Sequence, residues 1–330
     1  MKISVIGAGS WGTVLTQILK DNGHEVALWV RSAGKAEEIA ASRCNKSYLP
    51  DLQLDRDILI TNDLLLAVKR AEVLVFVVPS HGMQDICRCI YNLDTCKNKI
   101  LLSCTKGFDT TLQLSMSKVI NRIFPVNKGI AVMSGPNLAK ELALRQPGAT
   151  VIACDKLEVA KRLQGCFING YFRPYISEDV TGVELCGCLK NCIALTSGML
   201  FGLNFGENCQ AALITRGLAE ITRLGMALGA KTATFSGLAG VGDLIATCTS
   251  KKSRNRSAGE ALARGKTLQE VIAATNMVIE GINTTKVAYA LAEAKGVEMP
   301  IIHQLYQVLF YGKNVHSAIQ ELMQRQGKKE

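Results

Sequence analysis

A short β-branched run, Lys2–Ile6, feeds directly into Gly7-Ala-Gly9-Ser-Trp11-Gly12, and a helical apolar pattern over Trp11–Lys20 follows at once. The spacing G-x-G-x-x-G carries little weight alone. Between a strand and a helix it specifies the first βα turn of a parallel sheet. Gly7 permits the tight turn, Gly9 lets a ligand approach the backbone, and Gly12 lets helix and strand pack closely. The helix start then offers N–H groups and the positive end of its dipole to a phosphate. A glycine-rich turn without a ligand is the plainer alternative, and the strand–turn–helix context disfavours it.

The rest of the chain fits that beginning. Further β-branched runs occur at Glu25–Val30, Val73–Val78, Ile100–Cys104, Ile130–Met133 and Thr150–Cys154, with helical patterns such as Leu112–Ile123 between them. Strands alternating with helices mean βαβ units and a mostly parallel sheet. After about residue 177 the β-rich runs stop. Residues 211–229 place Ile214, Leu218, Ile221, Leu224 and Leu228 at helical spacing, with Arg216, Glu220 and Arg223 on the other face. Residues 284–295 and 301–311 repeat this rhythm, punctuated by Gly296 and Pro300. With 330 residues, about two domains are expected. The fold class is α/β: a Rossmann-type doubly wound, dinucleotide-binding sheet over 1–177, then an all-helical domain over 178–330. No Pro- or Ser-rich linker separates them, so a direct join and a shared cleft are expected. The one biased tract is the basic tail Lys328-Lys329.

Composition narrows the function. The net charge is +10, from 38 Lys and Arg against 28 Asp and Glu, which favours an anionic partner without choosing one. Aromatic residues are only 5% and the basic residues are scattered, which argues against nucleic acid. The apolar run Val73–Val78 is far short of the ~20 residues that span a bilayer. The 12 Cys lack C-x2-C spacing, and His24, His81, His303 and His316 lie far apart, so no metal site is expected. Met1-Lys2-Ile3 enters a strand without a signal peptide. Reduced thiols in the cytoplasm are the better reading.

Charged and polar side chains near strand ends and in apolar surroundings mark candidate chemistry. Arg31 follows the second strand where an acid would read the ribose of NAD; an arginine suits the 2′-phosphate of NADP. Ligands of open α/β sheets sit beyond the strands' carboxyl ends. There the chain carries Ser80-His81, Thr105-Lys106-Gly107 and Ser134-Gly135-Pro136-Asn137. Lys106 places a cation for a phosphate or a developing oxyanion. Gly135 allows close backbone approach, and Asn137 is suited to cap a helix that also serves an anion. His81 reads better as a helix-start residue than as an acid or base. Lys190 stands in a largely uncharged segment, where desolvation would tune it for proton transfer, unless it snorkels to water. Asp243, after a glycine-rich turn, is placed to orient it. Arg254 offers a bidentate fork for phosphate, although Lys251-Lys252-Ser253-Arg254-Asn255-Arg256 also fits a solvated basic loop.

Taken in order, GAGSWG (7–12), SCTKG (103–107), SGPNLAKE (134–141), LKN (189–191), ALITRGLAE (212–220), GVGDL (240–244), SRNR (253–256) and VIEG (278–281) resemble NAD(P)-dependent glycerol-3-phosphate dehydrogenases of the bacterial biosynthetic type. The resemblance spans most of the chain; LKN, GVGDL and SRNR together are its specific part. It implies NADPH- or NADH-dependent reduction of dihydroxyacetone phosphate to sn-glycerol 3-phosphate for phospholipid synthesis. It implies that Gly7, Gly9, Ser10, Trp11 and Gly12 meet the cofactor phosphates, with Arg31 and Tyr48 at the adenosine. Lys106 would contact cofactor and substrate, and Ala139, Arg254, Val278 and Glu280 the cofactor. Gly135, Asn137, Asn191, Thr247, Ser253, Arg254 and Asn255 would surround the substrate. Lys190 would exchange the proton, with Lys106 and Asp243 setting field and orientation. Two departures stand out. Asn137 replaces the family's usual Ser or Thr, and Cys186-Gly-Cys188 replaces a small Gly-Gly-Ala, adding oxidisable thiols. The competing reading is another dehydrogenase of the same architecture, acting on a hydroxy acid or a sugar phosphate acid. No nucleic acid or membrane insertion is expected, and a homodimer is expected on general grounds.

Overall fold

The computed structural model describes residues 1–93, 98–275 and 278–327; the basic tail Lys328-Lys329 lies outside them. The described residues form two compact units, Met1–Asp109 with Leu114–Glu184 and Thr110–Gln113 with Leu185–Glu330.

The first unit is built on an eight-stranded sheet. Its strands are β1 (Lys2–Ile6), β2 (Glu25–Trp29), β3 (Leu59–Thr61), β4 (Val73–Phe76), β5 (Ile100–Ser103), β6 (Gly129–Ser134), β7 (Gly148–Cys154) and β8 (Phe172–Ser177). The order β3-β2-β1-β4-β5-β6 is that of a dinucleotide-binding doubly wound sheet, extended by β7 and β8. Every pair is parallel except β6 with β7. All residues of β4 and β5 are buried, as strands covered on both faces require. Helix α1 (Ser10–Asp21) lays Val14, Leu15, Ile18 and Leu19 against the sheet.

The sequence pattern missed both edge strands. β8 carries Arg173 and Pro174 and alternates in burial, and β3 is three residues long. Such edges lack the continuous apolar run that marks a central strand.

In the second unit the 23-residue helix Val180–Gly202 buries most of its surface; its part after residue 184 belongs to this unit. By length and apolarity it could cross a membrane, yet 83% of the apolar window is buried within the protein. A helix apolar all round belongs in a core. Backbone-close packing joins it to the helix Arg254–Ala263. A Cβ on Gly198 would lie 1.9 Å from the Arg256 carbonyl oxygen, and one on Gly259 would lie 1.9 Å from that of Leu195.

The helix Glu207–Ala227 corrects one expectation. Glu220, placed by its polarity on the solvent face, is buried and accepts from the N–H groups of Ile301 (2.7 Å) and Ile302 (3.2 Å). It caps the start of the helix Pro300–Tyr311, where backbone donors lack intrahelical partners.

Candidate active site

The glycine turn separates packing from ligand space. A Cβ on Gly7 would lie 2.5 Å from the Val77 carbonyl oxygen, and one on Gly12 would lie 1.9 Å from that of Gly7. Gly7 also has φ +116°, outside the range of ordinary side chains. A Cβ on Gly9 would meet nothing within 4 Å. Protein packing therefore does not require glycine at position 9, and the space beside it is open. Gly9 is the N-cap of α1 without a side-chain cap, so the helix start is open to an anion. This open cradle fits a dinucleotide pyrophosphate.

Ser10 and Trp11 form the first turn of α1. The Trp11 indole packs edge-on to Phe172, with ring centroids 6.1 Å apart. Arg31 is exposed just beyond β2, beside the Ser32-capped helix Ala33–Ser42. Tyr48 is half-buried, with Lys35 Nζ 5.6 Å from its ring centroid.

At the carboxyl ends of β5 and β6, Lys106 Nζ donates to the Gly135 carbonyl (2.9 Å). Gly135 admits no side chain, because a Cβ there would lie 2.9 Å from Thr150 Cα. Asn137 donates from Nδ2 to Thr150 Oγ1 (2.9 Å), while its Oδ1 is buried without a hydrogen-bond partner. That orphan acceptor is costly unless a ligand donor meets it. Ala139 opens the short helix Ala139–Ala143. His81 is exposed in a single tight turn, Ser80–Gly82.

In the helical unit, Lys190 and Asp243 form an ion pair with side chains only 7% and 3% exposed. Lys190 Nζ also donates to Thr247 Oγ1 (2.7 Å), which itself donates to the Asp243 carbonyl (2.7 Å). Asp243 and Thr247 lie one turn apart on the helix Asp243–Thr249, which continues from the π turn Leu238–Gly242. Gly240 in that turn has no room for a Cβ, which would fall 2.0 Å from the Phe235 carbonyl oxygen. That turn leads directly into the helix that carries Asp243. Burial pushes the neighbouring Cys248 thiol up to about 12, the lysine opposing and the aspartate reinforcing the effect. Cys186 and Cys188 are buried as well.

A second polar chain runs alongside. Asn255 donates from Nδ2 to Asn191 Oδ1 (2.9 Å) and accepts from the Gly281 N–H (2.9 Å). Exposed Arg254 donates to the Val278 carbonyl (2.9 Å), just before the helix that Glu280 opens. Ser253 caps its helix through the Arg256 N–H (3.3 Å). The basic run is therefore not one solvated loop: Lys251 and Lys252 are exposed, but Arg256 is buried with its guanidinium 3.8 Å from the Phe201 ring centroid. Sequence reasoning did not single out Thr150 or Asn45, because their partners are distant in sequence and their types are common.

Two family models match: the NAD-dependent glycerol-3-phosphate dehydrogenase N-terminus over residues 2–160 and the C-terminus over 179–320. A glycerol-3-phosphate dehydrogenase (NAD(P)+) of Thermoanaerobacter sp. is 47% identical, covering 100% of this chain and 99% of its own length. The one from Bacillus subtilis is 43% identical, covering 98% and 94%. The crystal structure of a Coxiella burnetii glycerol-3-phosphate dehydrogenase superposes with a TM-score of 0.94 at 35% identity, covering 98% of this chain and 99% of that one. A ketopantoate reductase from Ralstonia eutropha, at 18% identity and a TM-score of 0.62, shares the fold alone.

Proposed function

This chain belongs to the NAD-dependent glycerol-3-phosphate dehydrogenase family, and we propose that Lys190, held by Asp243 and Thr247, exchanges the proton in its reaction. That reaction is the reversible NAD(P)H-dependent reduction of dihydroxyacetone phosphate to sn-glycerol 3-phosphate. When bound, the nicotinamide supplies the hydride that goes to the C2 carbonyl. The carbonyl oxygen, becoming an alkoxide, needs a proton and a positive field. The Lys190 ammonium gives both, and Asp243 supplies the counter-charge that a buried ammonium requires. Thr247 fixes the direction of Nζ. In the oxidative direction the amine takes the proton back.

The remaining roles follow unit by unit. In the first, Gly7, Gly9, Ser10, Trp11 and Gly12 hold the pyrophosphate, and Arg31 and Tyr48 hold the adenosine end, with NADPH favoured by the Arg31 cation. Lys106 and Ala139 meet the nicotinamide half; Lys106, Gly135 and Asn137 meet the substrate. Asn137 keeps a substrate role through its unpartnered Oδ1, an acceptor for a substrate hydroxyl. In the second, Arg254 spends one of its five donors on Val278 and directs others at phosphate. Ser253, Asn191 and Asn255 order that phosphate site, and Val278 and Glu280 reach the cofactor. The product feeds glycerophospholipid synthesis in the cytoplasm. A homodimer completes the proposal, supported by the prevalence of two-fold homo-oligomers, and light scattering tests it.

The observation that carries the reading is the buried lysine joined to an acid and a hydroxyl. Lys190→Ala should lower kcat by about 10²–10⁴, with NADPH binding, followed by its fluorescence, unchanged. Wild-type turnover in that variant refutes the assignment. Equal use of unphosphorylated dihydroxyacetone by the wild type refutes the phosphate role of Arg254.

A further inference from the structure

The ribbon formed by Cys44–Asn45 and Leu49–Gln53 carries Tyr48 in its turn, and at its start lies a buried amide that the reaction does not use. Asn45 is only 3% exposed. Its Nδ2 donates to the Ala8 carbonyl (2.9 Å) and to Thr13 Oγ1 (2.8 Å). Thr13, itself fully buried, donates from its hydroxyl to the Gly9 carbonyl (2.8 Å). The Asn45 carbonyl accepts from the Tyr48 N–H (3.0 Å).

We propose that Asn45 is a positioning residue that presets the glycine turn for the cofactor pyrophosphate. The geometry of the turn carries this role, which rests on the reading of that turn as a dinucleotide site. In a trans peptide the C=O and the following N–H point in opposite directions. Pinning the Ala8 carbonyl fixes the direction of the Gly9 N–H. Pinning the Gly9 carbonyl, which also accepts from the Thr13 N–H at 3.0 Å, fixes that of the Ser10 N–H. Both carbonyls are bonded within the protein, so both N–H groups turn away from those partners, and the space beside Gly9 is open. Glycine at 7 and 9 leaves the turn many conformations in the unfolded chain and weak restraint in the folded one. An amide with both hydrogens committed removes that freedom before the ligand arrives, which is how preorganisation strengthens binding. The Asn45 side chain makes these bonds to the glycine turn and the helix that follows it, so its loss acts on the pyrophosphate cradle.

The test compares wild type, Asn45→Ala and Asn45→Asp, each verified as folded by its melting curve. NADPH and NADH are titrated by fluorescence, and adenosine 2′-monophosphate, which lacks the pyrophosphate, is titrated as a competitor. In Asn45→Ala the Kd for both dinucleotides should rise about tenfold, the expected cost of losing one or two buried hydrogen bonds. The Kd for adenosine 2′-monophosphate should stay within about twofold, as should kcat at saturating cofactor. Asn45→Asp should bind dinucleotide more weakly still, because a carboxylate cannot donate and repels the pyrophosphate. Asn45→Ser, which keeps one donor, covers the case in which the alanine variant does not fold and should show a smaller loss of the same kind. A folded variant with unchanged dinucleotide Kd overturns the proposal. Equal weakening of adenosine 2′-monophosphate overturns the route through the turn. Failure of the wild type to bind NADPH overturns the dinucleotide reading beneath it.

Discussion

Asp243→Asn leaves the shape of the helical site almost unchanged and removes only the charge opposite Lys190. The wild-type side chains are 7% and 3% exposed, so water cannot replace the lost partner. Removing one member of a buried ion pair typically costs about 3–5 kcal/mol, because the survivor is left charged and uncompensated. Asparagine still offers an acceptor, which places the expected loss near the lower figure, about 3 kcal/mol. For a cooperative unit of about 150 residues, the size of the helical one, each kcal/mol lowers Tm by roughly 2–4 °C, so its melting point should fall by about 6–12 °C. The double variant Lys190→Met/Asp243→Asn removes both charges and should recover at least half of that fall, because a neutral pair has no ion to strand. Activity should not recover with it: kcat should stay about 10²-fold or more below wild type in both single variants and in the double. Scanning calorimetry and NADPH oxidation with dihydroxyacetone phosphate give the two readouts on the same samples. If Asp243→Asn melts within about 2 °C of wild type, the pair is not the buried unit described. If the double variant regains turnover, Lys190 is not the proton donor.

Other expectations are independent of that pair. Arg31→Asp replaces the cation beyond β2 by an acid that accepts from a ribose hydroxyl; kcat/KM with NADPH should fall roughly a hundredfold, the loss of one or two charge-assisted hydrogen bonds, while the value with NADH holds or rises. An unchanged cofactor ratio would show that Arg31 does not read the ribose. Burial pushes the Glu220 carboxyl up to about 7, against the two Ile301 and Ile302 N–H groups that favour its ionised form. The folded state therefore holds the Glu220 proton more tightly than the unfolded chain. The stability this confers is present below the ordinary carboxyl value of 4.5 and is lost as pH rises toward 7. Between pH 4.5 and 7.5 the Tm of wild type should fall relative to Glu220→Gln, whose amide does not titrate; parallel curves would contradict the assignment.

Which of these groups could be read from the chain depends on where their partners lie. The glycine turn was legible because its strand, turn and helix are consecutive, and Gly7 and Gly12 answer to contacts within that unit or just beyond the adjacent strand. The central strands were legible because burial on both faces writes itself as an unbroken apolar run; β3 and β8, with one free edge each, do not carry that signature. Lys190 and Asp243 are 53 residues apart; their pairing was read from residue type and context, and the structure joins them. The polar residues misjudged from sequence share a cause. Glu220 and Arg256 have the composition of surface groups, yet one satisfies a helix start 81 residues away and the other lies beneath Phe201. Asn45 went unnoticed for the same reason, since its partner Ala8 is 37 residues earlier and offers only a carbonyl. Residue type states what a side chain offers; whether the offer goes to water, to the backbone or to a ligand is decided by tertiary neighbours. The unmatched offers are therefore the informative ones. Asn137 Oδ1, buried and without a donor, is the clearest of these at the candidate site. Asn137 Nδ2 already donates to Thr150 Oγ1, so a bound ligand that meets the unpartnered oxygen must bring the donor itself.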